Sequence, residues 1–335
     1  MINDKIEIFI LTYNRSMMLE TAIRSVLNQT VKTKLTVVDN HSPDDTPQMI
    51  ERLKAEGADF MYIRRTENGG AGANVATAKE HFSYPYVMIF HDDDALHPQY
   101  IEVALSVLNA HSDIDIIASS IVDFRNDDEL DFVHKDLVTY KEFATKQQFV
   151  SYVYCANVLR PDETLHYSPV IYRSAYYCNA RGRNDIYGKI DDTPFVFDCI
   201  KSGRIIQMTT PMAFIRRHAG QDTKDSATGC SMEQVLNVNS VYRAHMELQR
   251  STAKLYWMIC GRHLKGHSNF GNGQFSVFAL FMRAIRERVI KVRSFFLLGE
   301  YGVQKLLHMK SLLVLHRHLW KCASELYSTH EIRFS

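Results

Sequence analysis

The sequence predicts an α/β protein: a mainly parallel, twisted sheet covered on both faces by helices, followed by a helical C-terminal region. Three observations carry this. Short apolar runs alternate with helical patterns through some 120 residues, as strands joined by crossover helices do. Polar and acidic residues collect just after those runs, at the strand ends where a parallel sheet opens its ligand crevice. Beyond about Ser231 the chain reads as helix.

Ile6–Leu11 is the first apolar strand, and Leu19, Ile23, Val26 and Leu27 mark the helix after it. Leu35–Val38 is the second strand, closed by Asp39 and followed by a helix from about Thr46 to Glu56 that Gly57 ends. Phe60–Ile63 makes the third strand, residues 67–72 a flexible glycine-rich loop, and Ala73–Phe82 the third helix. The fourth strand, Val87–Phe90, runs into His91-Asp92-Asp93-Asp94, with Pro98 opening a helix to about Ala110. A fifth strand is predicted at Asp115–Ser119, and from Ser120 to about Pro211 the pattern becomes mixed.

The three adjacent acids are the centre of the sequence. Adjacent carboxylates repel, and a divalent cation is the simplest means of holding them together. Asp92 and Asp94, two apart on a chain leaving a strand, are predicted to face one side as oxygen ligands, with Asp93 pointing elsewhere. The competing reading is a solvated acidic turn with Asp94 as a helix N-cap.

With 335 residues, 46% of them hydrophobic, the chain can bury a large core. A net charge of +1 gives no global field for nucleic acid. The charge is uneven: Leu280 to Lys321 holds nine Lys and Arg against two Glu. There Phe281, Ile285, Val289, Val292 and Phe296 recur on one face, and a second helix is expected over Leu306–Tyr327. Such helices meet an anionic membrane surface, pair in a homo-oligomer, or are simply solvated. Six scattered cysteines without a C-x-x-C pair argue against structural zinc and against a disulfide scaffold. No signal peptide and no apolar span of roughly 18 residues is found, so a cytoplasmic location with reduced thiols is expected.

Gly69, Gly70 and Gly72 do not spell a dinucleotide fingerprint, and neither a P-loop nor a Gly-x-Ser-x-Gly elbow occurs. Thr12-Tyr13-Asn14-Arg15, Val37-Val38-Asp39-Asn40, the Asn68-Gly69-Gly70 loop running to Asn74, and the acids closing the fourth strand stand in an order that resembles family 2 glycosyltransferases of the Rossmann-like GT-A fold. The resemblance covers residues 5–110 and, less fully, 185–221. It implies that Asp39 accepts the uracil N–H, that Thr12 and Asn14 line the nucleotide pocket, and that Asn68, Gly69 and Gly70 form its floor. Asn74 and Asp93 fall among the same nucleotide-binding positions. Asp92 and Asp94 match a D-x-D element holding Mn²⁺ or Mg²⁺ on the diphosphate. His218 matches a residue completing that site, and Arg216 and Arg217 would neutralise phosphate.

Asp191-Asp192 matches the position of the family's Glu-Asp pair, which makes Asp192 the general base of a single inverting displacement and Asp191 its companion. Read without the resemblance, the two acids are a helix N-terminal cap before Thr193-Pro194. Asn40 and Asp191 depart from the usual acids of the family, and the Q-x-x-R-W signature of processive relatives is absent. The implied protein is a non-processive transferase of bacterial-type surface polysaccharide synthesis. Residues 1–230 would be catalytic and 231–335 a helical region for membrane association or oligomerisation. Its partners would be a nucleotide-sugar donor, UDP-linked, and a glycan or lipid-linked acceptor at the inner membrane face. A sugar-1-phosphate nucleotidyltransferase and a non-catalytic nucleotide or glycan binder are the rival readings.

Overall fold

A computed structural model of the chain describes residues 2–159, 165–201, 203–218, 232–245 and 327–334. The first half alternates as predicted: β1 (Ile2–Thr12), α1 (Ser16–Leu27), β2 (Lys32–Asp39), α2 (Thr46–Ala55), β3 (Met61–Arg64), α3 (Gly70–Lys79) and β4 (Tyr86–His91). Then come β5 (Ala95–Leu96), α4 (Tyr100–Ala110), β6 (Ile114–Phe124), β7 (Leu137–Phe143), α5 (Lys146–Leu159) and β8 (Ile171–Arg173). Three short helices, α6 (Ser174–Asn179), α7 (Asn184–Tyr187) and α8 (Asp192–Asp198), lead to β9 (Arg204–Arg216), α9 (Met232–His245) and β10 (Ser328–Arg333).

The strands form one sheet in the order β10-β7-β9-β6-β8-β4-β1-β2-β3, with β5 paired to β9. β1 lies between β4 and β2 and runs parallel to both. The central strands β1 and β4 are largely apolar on both sides because both sides are covered. Ile6, Ile8 and Ile10 of β1 pack with Leu19 and Ile23 of α1 and with Tyr100 and Ala104 of α4, while Phe9 turns to the opposite face with Ala78, Phe149 and Phe197. Register places Thr12 opposite Asp39, and Leu11 opposite His91. The ends of three neighbouring strands therefore deliver their polar residues to one edge.

Four expectations need correction. β8 enters antiparallel between β4 and β6, so the sheet is parallel only over β4-β1-β2-β3 and between β6 and β9. A strand of three residues is too short to show periodicity. α3 starts at Gly70, within the predicted glycine loop, because Asn40 and Asn68 anchor its entrance: Gly69 N–H donates to Asn40 Oδ1 at 3.1 Å and Gly70 N–H to Asn68 Oδ1 at 2.9 Å. Asp94 is not a helix N-cap, since β5 intervenes and Gln99 precedes α4. Within the C-terminal stretch read as helical, α9 is a helix, but Ser328–Arg333 is a strand paired antiparallel with β7, and Ile332 and Phe334 pack onto the core. The two basic amphipathic helices predicted between Leu280 and Tyr327 lie outside the described residues.

Candidate functional site

The loop after β1 begins the site. Asn14 takes a left-handed conformation (φ 56°), and its N–H donates to Ser42 Oγ at 2.9 Å, tying this loop to the one after β2. Thr12 Oγ1 is buried beside Asp92 without a well-formed hydrogen bond. Asp39 is fully buried at the end of β2. It accepts from Ser42 N–H at 2.8 Å, from Ser42 Oγ at 2.6 Å and from Tyr62 Oη at 2.7 Å, with Arg64 Nε 3.3 Å away. Desolvation and the adjacent Asp39 carboxylate hold the Tyr62 phenol protonated, well above its ordinary range.

Asn68 Oδ1 accepts from Asn40 Nδ2 at 2.8 Å. A β-carbon on Gly69 would lie 2.6 Å from Arg65 Nη2 and 2.7 Å from Ala73 Cβ, so the close packing here needs glycine. Asn74, which the resemblance sets among the nucleotide-binding positions, is buried, its Nδ2 donating to Val38 O at 3.0 Å. It ties the ends of β1 and β2 through Nδ2, while its Oδ1 has no hydrogen-bond partner among the described residues.

The acids separate differently from the sequence expectation. Asp92 turns to the first loop, where Arg15 Nη1 is 3.1 Å from its Oδ1 and Tyr13 N–H donates to Oδ2 at 3.4 Å. Asp93 is met by Arg15 at 3.3 Å and by His218 Nε2 at 3.0 Å. His91, Asp93 and Asp94 bring ligand atoms within 4.8 Å of one another. The convergent set thus contains Asp93 and a histidine where Asp92 was expected beside Asp94. The pairing of β5 with β9 decides this: it brings Arg216 N–H to Asp94 Oδ1 at 3.2 Å, fixing the turn.

Electrostatics mark the cluster as unfinished. Asp94 Oδ2 is buried without a hydrogen-bond partner, and His91 Nδ1 lies 3.7 Å away. Burial pushes the Asp94 carboxyl up to about 6, and burial also raises Asp92. An orphaned carboxylate oxygen beside a second carboxylate and an imidazole is what a divalent cation would satisfy, so this donor set fits such an ion. His91 escaped sequence reading, although it ends a strand as Asp39 does. Arg15 stood in the Thr12–Arg15 motif without being given a role.

The two predicted phosphate-binding arginines are occupied within the protein. Arg216 is buried over the Phe124 ring, donates from Nε to Asp93 O at 3.1 Å and from Nη1 to Arg125 O at 3.2 Å, and pairs with Asp127. Arg217 pairs with Asp123 at 2.8 Å. Arg216 therefore clamps the acidic turn to β9.

Asp192 is the first residue of α8. It is exposed to solvent, and desolvation raises its carboxyl above the ordinary range while the nearby His91 opposes the shift. Asp191 is buried and accepts from Arg183 N–H at 2.7 Å. The structure thus brings Asp192 into electrostatic reach of the acid cluster and turns Asp191 to a structural loop.

Comparison with known proteins agrees with this geometry. Residues 7–166 match the family described as glycosyl transferase family 2. Over 94 residues the chain is 30% identical to the GalNAc(5)-diNAcBac-PP-undecaprenol beta-1,3-glucosyltransferase of Campylobacter jejuni. That match covers 28% of this chain and 30% of the relative, so the chain spans less than a third of that protein's length. Among solved structures, S. aureus TarS 1-349 in complex with UDP-GlcNAc superposes with a TM-score of 0.53 at 16% identity, covering 78% of this chain and 73% of the other. The mannosyltransferase PcManGT of Pyrobaculum calidifontis, in complex with GDP-Man and Mn²⁺, gives a TM-score of 0.53 at 15% identity over 96% and 86% of the two chains. Residues 7–166 thus match glycosyltransferase family 2, on a fold that the chain shares with these two solved structures.

Proposed function

We propose that the protein transfers a sugar from a nucleotide donor, UDP-linked, to a hydroxyl of a glycan or lipid-linked acceptor, one sugar per encounter and with inversion. One observation carries this: an accessible carboxylate with a raised pKa, Asp192, stands within electrostatic reach of the His91, Asp93 and Asp94 cluster at the carboxyl edge of the sheet. Asp192 takes the proton of the acceptor hydroxyl as that oxygen attacks the anomeric carbon, and the bond to the nucleoside diphosphate breaks on the opposite face. His91, Asp93 and Asp94, with His218 behind Asp93, would hold Mn²⁺ or Mg²⁺, which would supply positive charge for the leaving diphosphate. Asp92, oriented by Arg15 and the Tyr13 N–H, faces the nucleotide side with Thr12, Asn14 and Asp39.

A lipid-linked acceptor is supported by the substrate in the name of the Campylobacter jejuni relative and by the nine Lys and Arg between Leu280 and Lys321, which suit an anionic membrane surface. No helix among the described residues is long and apolar enough to cross a membrane, and association at the membrane surface would be salt-sensitive.

The test is Asp192→Asn. Transfer should fall by about 10²–10⁴-fold, the usual contribution of a positioned base, while the rise in melting temperature on adding the nucleotide sugar with Mn²⁺ is retained. Wild-type transfer by this variant would remove Asp192 from the mechanism.

A further inference from the structure

Behind α8 lies a second hollow, of about 490 Å³, that the transfer chemistry leaves unused. Its walls come from the start of α5, the loop between α6 and α7, α8 and α9, and include Lys146, Arg181, Arg183, Tyr187, Phe197 and Asp198. That volume is within the range of small-molecule sites and well beyond a single water or ion.

The balance of charge is what sets this hollow apart. Arg183 is committed to Asp185 at 2.9 Å. Asp198 is engaged with Lys201 at 3.5 Å and with the Arg181 N–H at 3.4 Å. The Lys146 ammonium and the Arg181 guanidinium remain, and among the described residues neither makes a hydrogen bond or ion pair through its side chain. Lys146 is half-buried, and burial pushes its ammonium below the ordinary range, with Asp198 only partly opposing this. Both cations line one partly apolar hollow, and a group that would pair with both is an anion with several acceptor oxygens. The apolar surfaces of Phe197, Pro194 and Val241 leave room for an organic portion attached to it.

Position connects the hollow to the reaction. Pro194 and Phe197 line it, and both sit on the helix that Asp192 opens. At 1.5 Å per residue, Asp192 and Phe197 are separated by about 8 Å along the helix axis. The loop bearing Arg181 and Arg183 is also bonded to Asp191 through the Arg183 N–H at 2.7 Å. We propose that this hollow binds the phosphate or diphosphate group of the acceptor, with Lys146 and Arg181 as its ligands, so that the acceptor is a phosphate ester. This rests on the transferase reading given above.

Binding of inorganic pyrophosphate to the full chain, measured calorimetrically in EDTA so that no metal recruits it to the acid cluster, tests the proposal without turnover. The wild type should bind, and the Lys146→Gln/Arg181→Gln double variant should bind at least tenfold more weakly. Arg181→Gln alone, an exposed change, should show an intermediate loss and guards against a folding defect in the double variant. Absence of wild-type binding, or equal binding by the variants, would overturn the assignment. Flotation with phosphatidylglycerol vesicles separates the other source of phosphate: vesicle binding lost in the double variant while pyrophosphate affinity stays unchanged would assign the hollow to a membrane headgroup and overturn the acceptor role. Because these readouts need no catalysis, their failure leaves the role of Asp192 standing, and an active Asp192→Asn protein leaves the pyrophosphate result standing.

Discussion

Replacing Asp94 by Asn should move stability and metal affinity in opposite directions. Asp94 is 1% exposed, its Oδ2 has no partner, and burial raises its pKa to about 6. In an unfolded chain the same carboxyl titrates near 3.9, so about two pKa units separate the states, equivalent to about 3 kcal/mol. Because the folded value is the higher one, the folded state holds the proton more tightly. Its advantage is complete below about pH 4 and is lost as pH rises through about 6. At pH 7.5 without metal the ionised Asp94 is therefore a burden, and Asp94→Asn, which keeps the Oδ1 acceptor for the Arg216 N–H, should stabilise the metal-free protein by up to about 3 kcal/mol, raising the melting temperature by several degrees. The gain should vanish near pH 4, where the wild-type side chain is also neutral. Mn²⁺ binding behaves oppositely, since it requires the ionised form. Wild-type affinity should fall by about tenfold between pH 7.5 and pH 5, as the ionised fraction of a group with pKa near 6 drops to roughly a tenth, and Asp94→Asn should bind Mn²⁺ at least about 100-fold more weakly, beyond the usual effect of losing a supporting group. Differential scanning fluorimetry in EDTA across this pH range and calorimetric Mn²⁺ titration read the two effects. A metal-free Asp94→Asn protein that melts below wild type at pH 7.5, or that binds Mn²⁺ undiminished, would refute the reasoning.

Three further outcomes follow from neighbouring residues. An imidazole in the donor set favours Mn²⁺ over Mg²⁺, so His91→Asp should narrow the ratio of the two affinities and His91→Ala should weaken Mn²⁺ more than Mg²⁺, as parallel titrations would show. Arg216→Lys removes a buried fork that holds Asp93 O, Arg125 O and Asp127, and should cost about 2–4 kcal/mol in urea unfolding; an unchanged midpoint would contradict the clamp role. Gly69→Ala places a methyl 2.6 Å from Arg65 Nη2 and 2.7 Å from Ala73 Cβ, and should destabilise by about 1–3 kcal/mol and weaken nucleotide-dependent thermal stabilisation.

The parts of the fold written in local sequence were legible. Apolar runs such as Ile6–Leu11 and Val87–Phe90 become strands because both faces of β1 and β4 are covered, and the pattern reports that burial directly. Asp39 at a strand end and Asp192 before a short helix could be located for the same reason: the chain's own neighbours fix where a strand stops and a helix starts. The C-terminal strand Ser328–Arg333 was not legible, because its partner β7 lies far earlier in the chain and pairing leaves no local trace.

By itself, then, the sequence determined the alternating architecture, the delivery of acids to the carboxyl edge and the order of motifs along it. Which acid faces which partner was decided only by tertiary structure. Asp92 and Asp94 look equivalent as neighbours on a strand end, but Arg15 reaches Asp92 from the first loop and Arg216 N–H reaches Asp94 from a strand 122 residues later. Contacts between segments so distant in sequence are set by how the sheet closes, so the exchange of Asp92 for Asp93 and His91 in the convergent cluster, and the burial of Arg216 and Asn74, became visible only once the strands were paired.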